Sequence, residues 1–125
     1  MKTPIWYPFA DANRKGEFMR NNKKTYTIDF TGVEHYLEMH YVIKKSLDFP
    51  DYYGCNWDAF WDCLTDMYGE PMCIEIKGLD VIKEKFDDAA DMMIEILKEF
   101  KYFAPMFTKD IEIVIVTRNN RVHVV

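Results

Sequence analysis

The chain has 125 residues, of which 49% are hydrophobic, 16% aromatic and 30% charged, with five Gly and five Pro. This composition excludes collagen-like, low-complexity and wholly disordered chains, and the length predicts one packed domain. The net charge is −5, but residues 1–24 carry six basic and two acidic side chains while residues 48–99 carry four basic and fourteen acidic ones, so we expect an acidic folded body that repels nucleic acid and favours a cationic partner.

The first part of the chain predicts an arm, a strand and a helix. Residues 1–24 show neither helical nor strand periodicity, which predicts an irregular basic arm ahead of a domain over residues 25–125. Thr25 to Phe30 is rich in β-branched and aromatic residues and predicts a first strand. The helical spacing from Val33 to Leu47 predicts a first helix capped by Thr31. Its apolar stripe consists of Val33, Tyr36, Leu37, Tyr41 and Leu47, widened by Met39, Val42 and Ile43.

A structured loop and a second helix follow. Because Pro50 disfavours helical geometry in the residue before it and Gly54 is conformationally permissive, Phe49 to Gly54 predicts a loop. Asn56 is a favourable N-cap for a helix from Trp57 to Met67. The three-four spacing of its large apolar side chains predicts a buried face made of Trp57, Phe60, Trp61 and Leu64.

The remaining elements complete an α/β order. Met72 to Lys77 alternates as a strand, a short helical piece lies around Val81 to Lys85, and Asp87 to Phe103 predicts the longest helix. Ile111 to Val116 is a nearly continuous run of β-formers and predicts a third strand, after which Val122 to Val125 could pair as a terminal strand. The order predicts a small three-stranded, mainly parallel sheet packed by helices.

Three carboxylates form an acidic stripe on the second predicted helix. Asp58, Asp62 and Asp66 are spaced at i, i+4 and i+8, where like charges destabilise a helix by about 0.2 to 0.5 kcal/mol per pair. One interpretation is an ordinary solvated helix face. The other is a surface for gripping a basic protein, since the stripe lies beside an aromatic-rich loop and charge steers the encounter of two proteins.

The run from Phe49 to Asp66 contains a long and specific pattern, Pro-acidic-Tyr-Tyr-Gly-x-Asn-x-Asp-Ala-x-Trp-Asp-Cys-Leu-Thr. It resembles the loop and helix of the barstar family of intracellular inhibitors of bacterial ribonucleases, and a weaker resemblance extends from Thr25 to Thr117. The resemblance implies a barstar-like fold and contacts with the cationic active site of a ribonuclease. The implied contact positions are Tyr52, Gly54, Asp58, Trp61, Asp62 and, on the last helix, Glu99, with Glu95 as the alternative.

Several positions depart from the family pattern. Cys55 stands where an acidic residue is expected, and Trp57 and Phe60 replace smaller aliphatic residues. The basic arm of residues 1–24 has no recognised counterpart. These departures concern the identity of the partner more than the fold.

The other chemistry-bearing residues do not predict an enzyme. Asp58 and Asp62 have no nearby His, Lys or metal-site pattern that would perturb a carboxyl pKa for acid–base catalysis. His35 and His40 lack the spacing of a metal pair, which predicts surface histidines or histidines whose hydrogen bonds are satisfied. We predict no enzymatic activity and no cofactor.

Cysteine usage and the terminus bear on location and partners. The three residues Cys55, Cys63 and Cys73 predict reduced thiols, and residues 1–10 lack the features of a signal peptide. No apolar run reaches the roughly 18 residues of a membrane helix. We expect a cytoplasmic protein whose partner is a basic, barnase-like ribonuclease, without nucleic acid or membrane. The alternative is a non-inhibitory interaction module whose acidic helix binds another cationic protein.

Overall fold

The fold is taken from a computed structural model, which describes residues 23–107 and 110–124. Four strands and four α-helices follow in the order β1 (Lys24–Asp29), α1 (Tyr36–Ser46), α2 (Trp57–Thr65), β2 (Met72–Lys77), α3 (Leu79–Lys85), α4 (Asp87–Phe103), β3 (Ile111–Val116) and β4 (Arg121–His123). A short 3-10 turn, Ala104–Met106, follows α4 and contains Pro105, which cannot continue an α-helix.

The strands form a single mixed sheet in the order β1-β2-β3-β4. The first three strands are parallel, and β4 is antiparallel to β3. The predicted α/β class is confirmed, but the sheet has four strands rather than three. The fourth strand forms because the chain reverses after β3, where the Thr117 backbone N–H donates to the Asn120 carbonyl at 2.8 Å and the Asn120 N–H donates to the Thr117 hydroxyl at 3.0 Å.

One face of the sheet carries the core. Each parallel neighbour is reached by a helical crossover, and right-handed crossovers running in the same direction place all the helices on the same face. Ile28 of β1, Ile74 of β2 and Ile113 of β3 lie on that face and are fully buried. The helices meet them with Met39, Ile43, Phe60, Leu64, Ile82, Met93, Leu97 and Phe100, none of which has any exposed surface.

Helix α1 differs most from its prediction. It begins at Tyr36 rather than Val33 because the Asp29 carboxylate accepts hydrogen bonds from the backbone N–H and the hydroxyl of Thr31, so that Thr31 caps no helix. The Glu38 carboxylate instead accepts from the Glu34 N–H at 2.8 Å and the His35 N–H at 3.3 Å. The predicted apolar stripe is buried only in part, since Val33, Met39, Ile43 and Leu47 are buried whereas Tyr36, Leu37 and Tyr41 are exposed.

Most of the predicted arm, residues 1–22, lies outside the described residues. Its last two residues are described. Lys24 begins β1, one residue earlier than predicted, and the Lys23 ammonium pairs with Asp110 at 2.9 Å and Glu112 at 3.5 Å. Within the described chain, no helix has the length and apolar character needed to cross a membrane, and no group of three or more His, Cys, Asp or Glu side chains could hold a metal ion.

Gly78 sits where β2 ends and α3 begins, in a left-handed conformation with φ of 74°. A Cβ atom there would lie 2.7 Å from the Thr31 backbone nitrogen and 3.0 Å from the Phe30 carbonyl carbon. We therefore expect Gly78→Ala to lower the free energy of unfolding by roughly 2 to 5 kcal/mol, since left-handed strain and a clash with backbone act together. Urea denaturation measures this loss.

Two glycines provide matched controls for the Gly78 substitution. Gly69 also has a positive φ, 120°, but a Cβ there would meet nothing within 4 Å, so Gly69→Ala should cost only about 1 to 3 kcal/mol. Gly32 has neither constraint, and Gly32→Ala should be close to neutral. Equal losses for Gly78→Ala and Gly69→Ala would show that the close approach to Thr31 does not matter.

Candidate partner-binding site

The loop between α1 and α2 presents one tyrosine to the core and the next to solvent. Tyr53 is 6% exposed and packs against Phe49, with ring centroids 5.2 Å apart, whereas the neighbouring Tyr52 is 78% exposed. The Tyr53 backbone N–H donates to the Pro50 carbonyl at 3.0 Å, which closes the turn. Burial of Tyr53 therefore fixes the position from which Tyr52 projects.

A buried histidine anchors this loop from beneath. His40 on α1 has no exposed surface, and its Nδ1 is hydrogen-bonded to the Tyr53 hydroxyl at 2.8 Å. Its ring also packs against Trp57 at 4.7 Å between centroids. Burial lowers the His40 pKa and raises the Tyr53 pKa, so both groups are neutral near pH 7.

The prediction that a buried His40 would have its hydrogen bonds satisfied is therefore only partly correct, because only one of its two ring nitrogens has a partner among the described residues. Within the described part of the chain, either neutral tautomer of His40 leaves Nε2 without a hydrogen-bond partner.

Helix α2 begins as predicted at Trp57, with Asn56 as its N-cap, and ends earlier than predicted, at Thr65 rather than Met67. The Asn56 side-chain oxygen accepts from the Ala59 N–H at 2.8 Å, and its amide nitrogen donates to the Gly54 carbonyl at 3.3 Å. A Cβ atom at Gly54 would lie 3.3 Å from that amide nitrogen. Gly54 thus leaves room for the cap that holds the start of α2 against the loop.

A groove between α2 and α4 brings together four of the predicted site residues. This acidic groove has a volume of about 570 Å³, and its acidic members are Asp58 and Asp62 from α2 and Glu99 from α4. Its apolar lining comes from Trp57, Trp61, Met92 and Ile96. Tyr52 and Gly54 do not line the groove and lie in the loop that precedes α2, and Glu95 is exposed but is not part of the lining.

The carboxylates of the acidic groove have no ion-pair partner among the residues that the structure describes. Among residues 23–107 and 110–124, no Lys, Arg or His forms an ion pair with Asp58, Asp62 or Glu99. Helix α2 also has no basic residue in its last turn. Beneath the helix, burial raises the pKa of the Cys63 thiol, and the nearby Asp66 and Asp62 charges act in the same direction. The groove therefore combines an apolar floor with a negative rim, which suits a cationic protein surface.

Sequence reasoning missed part of the groove lining. The sequence predicts a buried position for Trp57 and no binding role for Met92 or Ile96. In the structure Met92 is 47% exposed, and Trp57 and Ile96 are only partly buried. The signal that could have identified them is the spacing of Met92, Ile96 and Glu99, which places all three on one face of α4.

The sequence comparison identifies the class of protein. Residues 23–116 match the model of the family described as Barstar (barnase inhibitor), and the chain belongs to that family. A curated relative from Bacillus subtilis (strain 168), named "Putative ribonuclease inhibitor YrdF", is 38% identical to this chain over 71 residues. That match covers 57% of this chain and 75% of the relative. Family and relative together support a ribonuclease-inhibitor-like role.

Proposed function

We propose that this protein inhibits a basic, barnase-like ribonuclease by covering its cationic active site with the acidic groove and the preceding loop. Tyr52, Gly54, Asp58, Trp61, Asp62 and Glu99 are the proposed contacts. The observation that carries the proposal is the charge of Asp58, Asp62 and Glu99 around an apolar floor, which no cation of the described residues pairs. The cations of a phosphate-binding site would pair with these carboxylates, and Trp61 would be buried between them.

The position of Glu99 supports its choice over Glu95. Glu99 lines the acidic groove opposite Asp58 and Asp62, so one cationic side chain could contact carboxylates from both helices. Glu95 is outside the lining. A ribonuclease arginine seated in the groove would therefore reach Glu99 first.

Binding rather than catalysis is the proposed activity. The family is described as an inhibitor of barnase, and the relative carries the name "Putative ribonuclease inhibitor YrdF". We further propose a cytoplasmic location, where the free thiols of Cys55, Cys63 and Cys73 would be stable. There the protein would act as an immunity protein against a ribonuclease that functions outside the cell.

The test is stoichiometric inhibition of RNA cleavage. Purified full-length chain is titrated into a basic ribonuclease such as barnase, and cleavage of a fluorescent RNA is followed. We expect activity to fall linearly to near zero at about one inhibitor per enzyme. A ribonuclease with an acidic surface is the control and should be unaffected. Binding without loss of cleavage would instead support a non-inhibitory interaction module.

A further inference from the structure

A second depression adjoins the acidic groove at the start of α4. This aromatic recess has a volume of about 490 Å³ and shares Trp57 and Met92 with the acidic groove. Its other principal lining residues are Tyr36 from α1, Phe86 from the α3–α4 junction, and Asp87 and Asp88 from the first turn of α4. None of these four residues belongs to the proposed contact set, so the recess is a separate part of the same surface.

The walls of the recess are aromatic rings held in fixed orientations. Tyr36 and Phe86 meet edge to face, with centroids 5.7 Å apart and ring planes at 86°. Tyr36 also packs against the buried His40 at 5.4 Å, as Trp57 does at 4.7 Å. Buried packing behind Tyr36 and Trp57 therefore holds their rings in place, and aromatic faces attract cations through their quadrupoles.

The rim of the recess carries a carboxylate that is open for pairing. The Asp87 carboxylate is engaged by Lys83 at 2.8 Å. Asp88 is exposed, and the described residues place no cation within ion-pair distance of it. Three aromatic rings beside one unpaired carboxylate form a cage that complements a planar cation.

We propose that the aromatic recess binds an arginine side chain of the partner, as a second cationic subsite beyond the acidic groove. The guanidinium lies against Tyr36, Trp57 and Phe86 and pairs with the Asp88 carboxylate. Arginine is preferred over lysine because its guanidinium is planar, weakly hydrated and able to stack on aromatic rings. In its biological setting this inference rests on the proposed function, because a basic ribonuclease would supply the arginine.

The first test uses the free full-length chain and needs no ribonuclease. N-acetyl-arginine methylamide is titrated into the labelled protein, and NMR follows the backbone amides of four residues. Phe86 and Ala89 line only the recess, and Trp61 and Ile96 line only the acidic groove. We expect saturable shifts at Phe86 and Ala89. N-acetyl-norleucine methylamide, which lacks the charge, should produce little shift there.

Two substitutions that each remove one negative charge distinguish binding in the recess from a general effect of the protein's net charge. Asp88→Asn should weaken the arginine titration at Phe86 and Ala89 about three- to tenfold, as expected for loss of an ion pair beside a cation–π contact. Glu84→Gln, at an exposed position of α3 outside both depressions, should leave it unchanged. Equal shifts with norleucine, shifts confined to Trp61 and Ile96, or an unchanged Asp88→Asn titration would each overturn the proposal.

The second test measures binding of the same variants to barnase. Asp88→Asn should weaken binding about three- to tenfold, while Glu84→Gln should not. If the arginine titration behaves as expected but the chain does not inhibit the nuclease, the recess stands and the proposed function fails. If the chain inhibits the nuclease but Asp88→Asn changes neither measurement, the recess fails alone.

Discussion

Replacing Asp62 with Ala should weaken binding to a basic ribonuclease by roughly 30- to 5,000-fold while leaving the free protein folded. Removing one member of a buried charge pair costs about 2 to 5 kcal/mol in a complex, a range informed in part by barnase and barstar themselves. In the free protein, Asp62 is exposed and lies between Asp58 and Asp66 on the acidic stripe. Its loss removes like-charge repulsion worth about 0.2 to 0.5 kcal/mol per pair, so stability should hold or rise slightly. Calorimetric titration and thermal melting measure the two effects.

Asp66→Ala is the matched control for the Asp62 substitution. Asp66 follows Asp62 by one helical turn and is also exposed, but it does not line the acidic groove. The two variants have the same net charge, so a difference in affinity reports position rather than total charge. Retained affinity of Asp62→Ala together with loss of folding would mean that the stripe is structural and that the groove is not the binding surface.

Association with the ribonuclease should slow about 10- to 1,000-fold between about 0.01 M and 1 M salt. The acidic face accelerates encounter with a cationic partner, and the Debye length falls from about 30 Å to about 3 Å over that range. Dissociation should change much less, because contacts inside the complex are shielded from solvent ions. Stopped-flow fluorescence of the tryptophans at several salt concentrations measures both rates.

The acidic groove provides the control for the salt experiment. A variant carrying Asp58→Asn, Asp62→Asn and Glu99→Gln removes three charges from the groove and keeps similar side-chain shapes. Its association rate should be lower at low salt and should depend less steeply on salt. An unmodified chain whose association rate is the same at both extremes would contradict electrostatic steering.

The sequence was most informative where a single periodicity extends over a whole element. The bounds of β2, β3 and α4 are the same in the structure as predicted, because their apolar residues repeat without interruption. The start of α1 could not be predicted, because the Thr31 side chain had two available partners and the Asp29 carboxylate competes with the helix N-terminus for it. The fourth strand is short and exposed, so the sequence indicated it only as a possible terminal strand from Val122 to Val125, whereas it spans Arg121–His123.

The part of the site that lies on one continuous segment was predictable from the sequence. The local pattern from Phe49 to Asp66 placed Asp58, Trp61 and Asp62 on one helix, which the structure retains. The spacing of Met92, Ile96 and Glu99 places them on one face of α4. That this face packs beside α2 and lines the groove is a tertiary property, which the spacing does not predict. The burial of His40 could not be predicted either, because the residues that cover it, Tyr53 and Trp57, belong to later segments of the chain.

The anchored loop has a consequence for the thermodynamics of association. Two non-glycine residues with positive φ, Asp48 at 57° and Cys55 at 54°, bracket the loop, and the Tyr53–His40 hydrogen bond ties its middle to the core. Such strained angles persist only when the surrounding structure holds them. The conformational entropy of the loop is therefore lost during folding rather than on binding, where each newly ordered side chain would cost about 0.5 to 1.5 kcal/mol. A preorganised loop can thus raise affinity without adding a contact to the partner.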